Sequence, residues 1–115
     1  MSHERVAFVH EAELELGDGT DPAAVGAAVT AALCGHWEHD GPCRWPHNSH
    51  IELVDSCATF RTLFVAPATD ETLVRERIER SLREETGWVV RRTRARSVSP
   101  AEAPLAGRLA TTPSG

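Results

Sequence analysis

The sequence predicts an α+β domain of the ferredoxin-like βαββαβ type, with a four-stranded antiparallel sheet and two helices on one face. Four segments are interpreted as strands, and two segments with helical caps and spacing lie between them. Their order is strand, helix, strand, strand, helix, strand, which is the order of the split βαβ motif. The 115 residues suffice for one domain with a single core.

The first strand and the first helix have the clearest signals. Residues 6–16 alternate between apolar positions and a polar row that contains Glu11, Glu13 and Glu15. Asp21 and Pro22 then predict a helix start, with Asp as N-cap and Pro at the first helical position. The helix is expected to continue to about Cys34, and Gly35 supplies its left-handed end.

The second half of the domain follows the same reasoning. Residues 50–54 and 59–66 predict a hairpin because their connection is short. The second helix is capped by Thr69 or Asp70 and ends at Gly87, and residues 88–98 form the last strand. One stripe of this helix is expected to lie on the sheet: Leu73, Val74, Ile78, Ser81 and Leu82. Residues 1–98 are therefore interpreted as one domain, and residues 99–115, rich in Pro, Ala, Ser and Thr, as a flexible C-terminal tail.

Charge is divided unevenly along the chain. Residues 1–57 have a net charge of −8 and residues 58–115 a net charge of +3, for a total of −5. In the predicted topology the first and last strands are antiparallel neighbours, so the Glu row of one would meet the Arg row of the other. The second sheet face would be free, and we expect it to be covered in a homodimer.

Composition also narrows the classes of function. An acidic chain without a basic face is not expected to bind nucleic acid. No run approaches the roughly 18 apolar residues of a membrane span, and no signal sequence is apparent, so we expect a cytoplasmic protein with reduced thiols. The chain has no Lys and no Tyr, which excludes Schiff-base lysine chemistry, a P-loop and tyrosine acid–base catalysis.

The segment from Cys34 to His50 contains two of the three Cys residues, four of the six His residues and two of the three Trp residues. Thiolates and imidazoles separated by gaps of one to three residues can fold around one ion, and this donor set suits zinc. Trp37 and Trp45 could shield such an ion from water. The predicted ligands are Cys34, His36, His39, Cys43 and His47.

Several alternatives remain open at this stage. The segment could be a polar surface loop without a ligand, or Cys34 and Cys43 could form a disulfide in an exported protein. Cys34 could instead face the core, and His50 begins a strand whose orientation the sequence does not fix. Further residues are most simply interpreted without a metal: Glu38 and Asp40 as solvated acids, Cys57 as an ordinary thiol, and His10 as a core histidine with a hydrogen-bond partner.

Three functions are compatible with these features. The first is a non-enzymatic domain in which zinc shapes the segment or is handed to a partner. The second is a small metal-dependent enzyme with an open coordination position near Glu38 or His50. The third is a metal-free dimeric module for ligand sensing or assembly. No set of nucleophile, base and acid is evident, so the first is preferred.

Overall fold

The computed structural model describes residues 5–34, 45–55 and 57–111, with the side chain of Cys34 excepted. Four strands and three helices lie in this part of the chain. A short 3₁₀ turn, Ala68–Asp70, precedes the second helix. The elements are β1 (Arg5–Leu16), α1 (Ala23–Cys34), β2 (His47–Val54), β3 (Cys57–Pro67), α2 (Glu71–Glu84), β4 (Trp88–Arg96) and α3 (Ala103–Ala110).

The strands form one antiparallel sheet in the order β2-β3-β1-β4. The predicted α+β class and four-stranded antiparallel sheet are therefore confirmed. β1 lies inside the sheet between β3 and β4, so the predicted pairing of the first and last strands is also confirmed. The register of the β1–β4 pair shifts between Glu13 and Leu14, which leaves Arg91 as the extra residue of a bulge.

The main core lies between the sheet and the pair α1 and α2. Alternate residues of β1 face the same side, so Ala12 and Leu14 enter this core. On α2 the predicted stripe is confirmed at Val74, Ile78 and Leu82. Leu73 was expected in the stripe, but it is an exposed residue, because two consecutive helical positions cannot both face the sheet squarely.

The prediction of two helices is wrong, because α3 lies within the residues that were expected to form a flexible tail. α3 packs on the sheet face opposite α1 and α2. A second, smaller core forms there from Val9, Leu63 and Ala106, with Leu105 and Leu109 packed against it. The face that was expected to be free is thus partly covered, and the homodimer through it stays a prediction.

The start of α3 is fixed by a reciprocal pair of hydrogen bonds. The backbone N–H of Ser99 donates to Glu102 Oε1 (3.0 Å), and the N–H of Glu102 donates to Ser99 Oγ (3.3 Å). The Glu102 carboxylate also accepts from Arg61 Nη2 at 2.7 Å and Arg61 Nε at 3.1 Å. These Arg61 hydrogen bonds lower the pKa of Glu102 to about 2 against the opposing effect of burial. A two-point ion pair therefore ties α3 to β3.

Replacing Glu102 with Gln should loosen α3 and lower the free energy of unfolding by about 1–2 kcal/mol, the range for hydrogen bonds to a charged group that is partly screened by solvent. The wild-type contribution is present above pH 4.5 and declines as the pH falls through about 2, because the folded pKa is the lower one. Urea unfolding at pH 7 measures the loss of stability, and amide exchange of residues 103–110 measures the loosening of α3. Glu76→Gln, on the exposed face of α2, is the control; an equal loss there would contradict the assignment.

Candidate metal centre

The C-terminal end of the predicted metal segment is anchored in the main core. Trp45 is buried, its Nε1 donates to Asp70 Oδ2 (3.2 Å), and the Arg77 guanidinium lies 5.0 Å from the centre of its ring. The carbonyl oxygen of Pro46 accepts from the backbone N–H of Val65 at 3.0 Å. These contacts hold the residues that lead into β2 in place, which favours a preorganised site.

His47 is the predicted ligand whose side chain is best defined. Its Nδ1 lies 3.1 Å from the carbonyl oxygen of Trp45. A carbonyl can only accept, so Nδ1 must carry the proton and Nε2 must present a lone pair. Nε2 lies 3.1 Å from Thr30 Oγ1, and the hydroxyl therefore donates to it. A ring N–H bonded to a backbone carbonyl is the arrangement that usually orients a histidine for metal binding.

The protonation state of His47 fits the same role. Burial lowers the pKa of His47 from its ordinary value of 6.5, and the hydrogen bond to the Trp45 carbonyl opposes this shift. The ring is consequently neutral at pH 7. Only a neutral imidazole can coordinate a metal ion, because the protonated ring has no lone pair to give.

The hydrogen bond between Thr30 and His47 also brings together the two described ends of the segment. Thr30 precedes Cys34 by one turn of α1, and Cys34 is the last residue of that helix. His47 is the first residue of β2. The hydrogen bond thus joins α1, one turn before its end, to the first residue of β2. His36, His39 and Cys43 lie between these two elements in sequence but outside the described residues.

The structure separates His50 from His47. Both lie on β2, three residues apart, so their side chains face opposite sides of the sheet. The side chain of His50 is 67% exposed, and its Nε2 is 3.5 Å from Glu52 Oε1. Cys57 is an exposed free thiol within β3 rather than in the hairpin turn. Within residues 5–34, 45–55 and 57–111, no group of three or more His, Cys, Asp or Glu side chains could hold a metal ion.

A cluster that sequence reasoning identified only in part surrounds Glu11 on the α3 side of the sheet. The predicted pairing of Glu and Arg rows is confirmed by the contacts Arg91–Glu15 (2.6 Å) and Arg92–Glu13 (3.0 Å). Glu11 accepts from Arg61 at 2.8 Å and Arg94 at 3.0 Å, and Arg96 lies 3.4 Å away. Burial raises the pKa of Glu11, but the Arg61 and Arg94 hydrogen bonds outweigh it and the net shift is downward.

His10 is a buried histidine with a hydrogen-bond partner, as predicted. Arg75 Nη1 lies 3.1 Å from its Nδ1 and must be the donor, so Nε2 carries the ring proton. This Nε2 is buried and has no partner in the part of the chain that the structure describes. Burial is the main cause that lowers the pKa of His10; the charge of Arg75 adds to it and that of Glu79 opposes it. His10 is therefore neutral at pH 7.

No model of a known protein family matches the chain, and no curated protein is significantly similar to it. Among the helices that the structure describes, none has the length and apolar character needed to cross a membrane. The function is accordingly inferred from the chain's own residues.

Proposed function

We propose that this protein is a small metal-binding domain in which the segment from Cys34 to His50 holds one ion. The observation that carries the proposal is the pair of contacts made by the His47 ring: Nδ1 lies 3.1 Å from the Trp45 carbonyl oxygen and Nε2 lies 3.1 Å from Thr30 Oγ1, beside the last turn of α1. The first contact assigns the ring proton to Nδ1 and leaves the lone pair on Nε2. Thiolate and imidazole donors together favour zinc over harder cations such as magnesium or calcium.

The ligand set that we propose is His47 through Nε2, with Cys34, His36, His39 and Cys43 as the other donors. Zinc in structural sites takes four protein ligands, so we propose that the ion uses four of these five donors. Thr30 supports the proposal because its hydroxyl holds Nε2 in place and can rotate to another acceptor when a metal takes the lone pair. His50 is left out of the set because it lies on the opposite face of the sheet.

A structural or metal-handling role is the form of the function that we favour. Ordering a Gly- and Pro-containing segment costs about 1–2 kcal/mol per residue in backbone entropy. A structural zinc contributes on the order of 10 kcal/mol, which offsets much of that cost. The bound ion would supply a cross-link between α1 and β2, and the chain's own contribution is the rigid platform of Trp45 and Pro46.

Metal content tests the proposal directly. Protein purified without a histidine-rich tag and then supplied with zinc should contain about one zinc per chain. His47→Gln should retain little of it, because the imidazole ligand next to Trp45 and Pro46 is lost. Elemental analysis after gel filtration measures the ratio. His50→Gln removes an imidazole from the same strand and should bind zinc as the wild type does. A wild-type chain without zinc, or equal zinc in His47→Gln, would refute the assignment.

The ferredoxin-like class remains our proposal for the fold. It is supported by the succession β1, α1, β2, β3, α2, β4 and by the three antiparallel pairs β1–β3, β1–β4 and β2–β3. α3 is an addition on the second face of the sheet.

A further inference from the structure

The two outer strands of the sheet, β4 and β2, protect their free edges to different degrees. β4 contains four arginines among its nine residues, and a bulge at Arg91 interrupts its ladder with β1. Pairing of β4 with β4 of another copy would bring these arginines together, which is unfavourable. β2 contains no Arg and no Pro, and two exposed apolar side chains lie at its end, Leu53 (49% exposed) and Val54 (72%). Of the two edges, β2 is therefore the one that is open to pairing.

The register of the sheet identifies the backbone groups on the outer side of β2. The N–H of Val65 donates to the carbonyl of Pro46 at 3.0 Å, and this contact continues the register of β2 and β3. Hydrogen-bonded positions alternate along an antiparallel pair, so the even-numbered residues of β2 bond to β3. The odd-numbered residues direct their N–H and C=O groups outward: Ser49, Ile51 and Leu53. Within the part of the chain that the structure describes, no strand pairs with this side of β2.

The side chains along this edge differ between the two faces of the sheet. His50 and Glu52 project from one face; their side chains are 67% and 73% exposed, and His50 Nε2 lies 3.5 Å from Glu52 Oε1. On the other face, a Cβ atom placed on Gly26 would lie 4.0 Å from the Cβ of Ser49, so α1 passes close to β2. α1 contains no charged residue. A second copy that approached the edge would thus meet a polar pair on one face and an uncharged helix on the other.

The polar pair selects one register for two β2 strands related by a two-fold axis. Both strands direct odd-numbered residues outward, so odd residues must meet odd residues and the axis must pass through a residue position. With the axis at Ile51, His50 lies opposite Glu52 of the second copy, and the symmetry repeats this pair. An axis at His50 would place two imidazoles opposite each other, and an axis at Glu52 would oppose two carboxylates, which repel. An axis at Ser49 or Leu53 would place neither side chain opposite the other.

We propose that the protein forms a two-fold symmetric dimer in which β2 pairs antiparallel with β2 of a second copy, centred on Ile51. Ile51 meets Ile51, and Ser49 meets Leu53, as hydrogen-bonded pairs, so the two four-stranded sheets become one continuous sheet. His50 donates to Glu52 of the second copy, which an imidazole N–H can do whether the ring is neutral or charged.

Apolar contacts add to the proposed interface on the side of α1. Leu53 is a diagonal neighbour of Ile51 of the second copy, which is within the reach of these side chains. The dimer uses the edge of the sheet rather than the face that α3 partly covers. None of these contacts uses a proposed metal ligand, so the dimer is expected both with zinc and with EDTA, and either proposal can fail without the other.

Molar mass and amide exchange test the dimer in untagged, full-length protein. Sedimentation at about 100 µM should give twice the 12.5 kDa of one chain, with a dissociation constant on the order of 10 µM, as suits a small interface. The amide protons of Ser49, Ile51 and Leu53 should exchange more slowly in the concentrated than in the dilute sample. Those of His50 and Glu52 bond to β3 and should be protected equally in both. A monomer at 100 µM, or exchange at the odd positions that does not depend on concentration, would overturn the proposal.

A charge exchange between two exposed residues tests the register. His50→Glu places carboxylates opposite each other at two symmetric positions and should weaken the dimer by about tenfold or more. The double variant His50→Glu/Glu52→His restores a complementary pair and should return the dissociation constant to within about threefold of wild type. Thr72→Glu adds an acidic group to the exposed surface of α2 and should change the constant by less than about twofold, since distant surface charges are screened. Equal weakening by His50→Glu and Thr72→Glu, or no recovery in the double variant, would also overturn the proposal.

Discussion

Withdrawal of zinc is expected to lower the thermal midpoint of the protein by roughly 10 °C. Zinc that binds only the folded chain, at a free concentration 100 times its dissociation constant, stabilises by about 2.7 kcal/mol. For a domain of this size, each kcal/mol moves the midpoint by several degrees. Circular dichroism melts of protein that is zinc-loaded or treated with EDTA measure the shift. The far-ultraviolet spectrum at 20 °C should retain its strand signal, because the two cores consist of residues outside the segment 35–44.

Two variants separate the metal effect from a general loss of stability. His47→Gln should have the same thermal midpoint with and without EDTA, and this midpoint should lie below that of the zinc-loaded wild type. His50→Gln should respond to EDTA as the wild type does. His47→Gln also removes the hydrogen bonds to Trp45 and Thr30. Their loss lowers the free energy of unfolding by about 0.5–1.5 kcal/mol each, whether or not a metal is present. The decisive quantity is therefore the response to EDTA within each protein. Identical melting of the wild type with zinc and with EDTA would contradict the metal site.

Replacing Glu11 with Gln is expected to lower the free energy of unfolding by about 2–3 kcal/mol. The Glu11 side chain is 7% exposed and is the shared partner of Arg61, Arg94 and Arg96. Removing the buried member of an ion pair is costly because the opposite charges keep their desolvation penalty without compensation. We place the value below the usual 3–5 kcal/mol because the three guanidinium groups are partly exposed and therefore screened.

Glu13→Gln is the matched control for Glu11→Gln, because Glu13 is also on β1 and also pairs with more than one arginine. Its side chain is 36% exposed, and the expected loss is below about 1 kcal/mol. Since the pKa of Glu11 is lowered in the folded state, its contribution is present above pH 4.5 and is lost as the pH falls below that value. Urea unfolding at pH 7 and pH 3 should thus show a smaller difference between wild type and Glu11→Gln at pH 3. Equal losses in the two variants at pH 7 would contradict the burial argument.

The elements that the sequence predicts well are those with a local physical signal. The cap of α1 is an example: the backbone N–H of Ala23 donates to Asp21 Oδ1 at 2.9 Å, as the Asp–Pro pair indicates. α3 was missed because Pro, Ala and Gly around Leu105 and Leu109 obscure a helical period in an eight-residue helix. A non-local signal was present, since Val9 lies on the polar face of β1 and requires an apolar cover.

The candidate site likewise has some features that the sequence predicts and others that depend on the fold. The donor types and their spacing are properties of the sequence, and the opposite orientations of His47 and His50 follow from their separation on a strand. The tautomer of His47 could not be predicted, because it depends on the carbonyl of Trp45 and the hydroxyl of Thr30 being placed around one ring. The hydrogen bonds of Arg75 depend on long-range contacts in the same manner, because Nη1 donates to Val9 and His10, which are 66 and 65 residues away in sequence.

Because Arg61 bonds both to Glu11 inside the sheet and to Glu102 before α3, the last part of the chain cannot be trimmed as dispensable. A version cut after residue 98 would strip the apolar cover from Val9 and Leu63 and withdraw one of the two carboxylates that balance Arg61. The apolar surface exposed in this way would favour aggregation. Shortened versions prepared for crystallisation or binding assays should therefore retain residues 99–111.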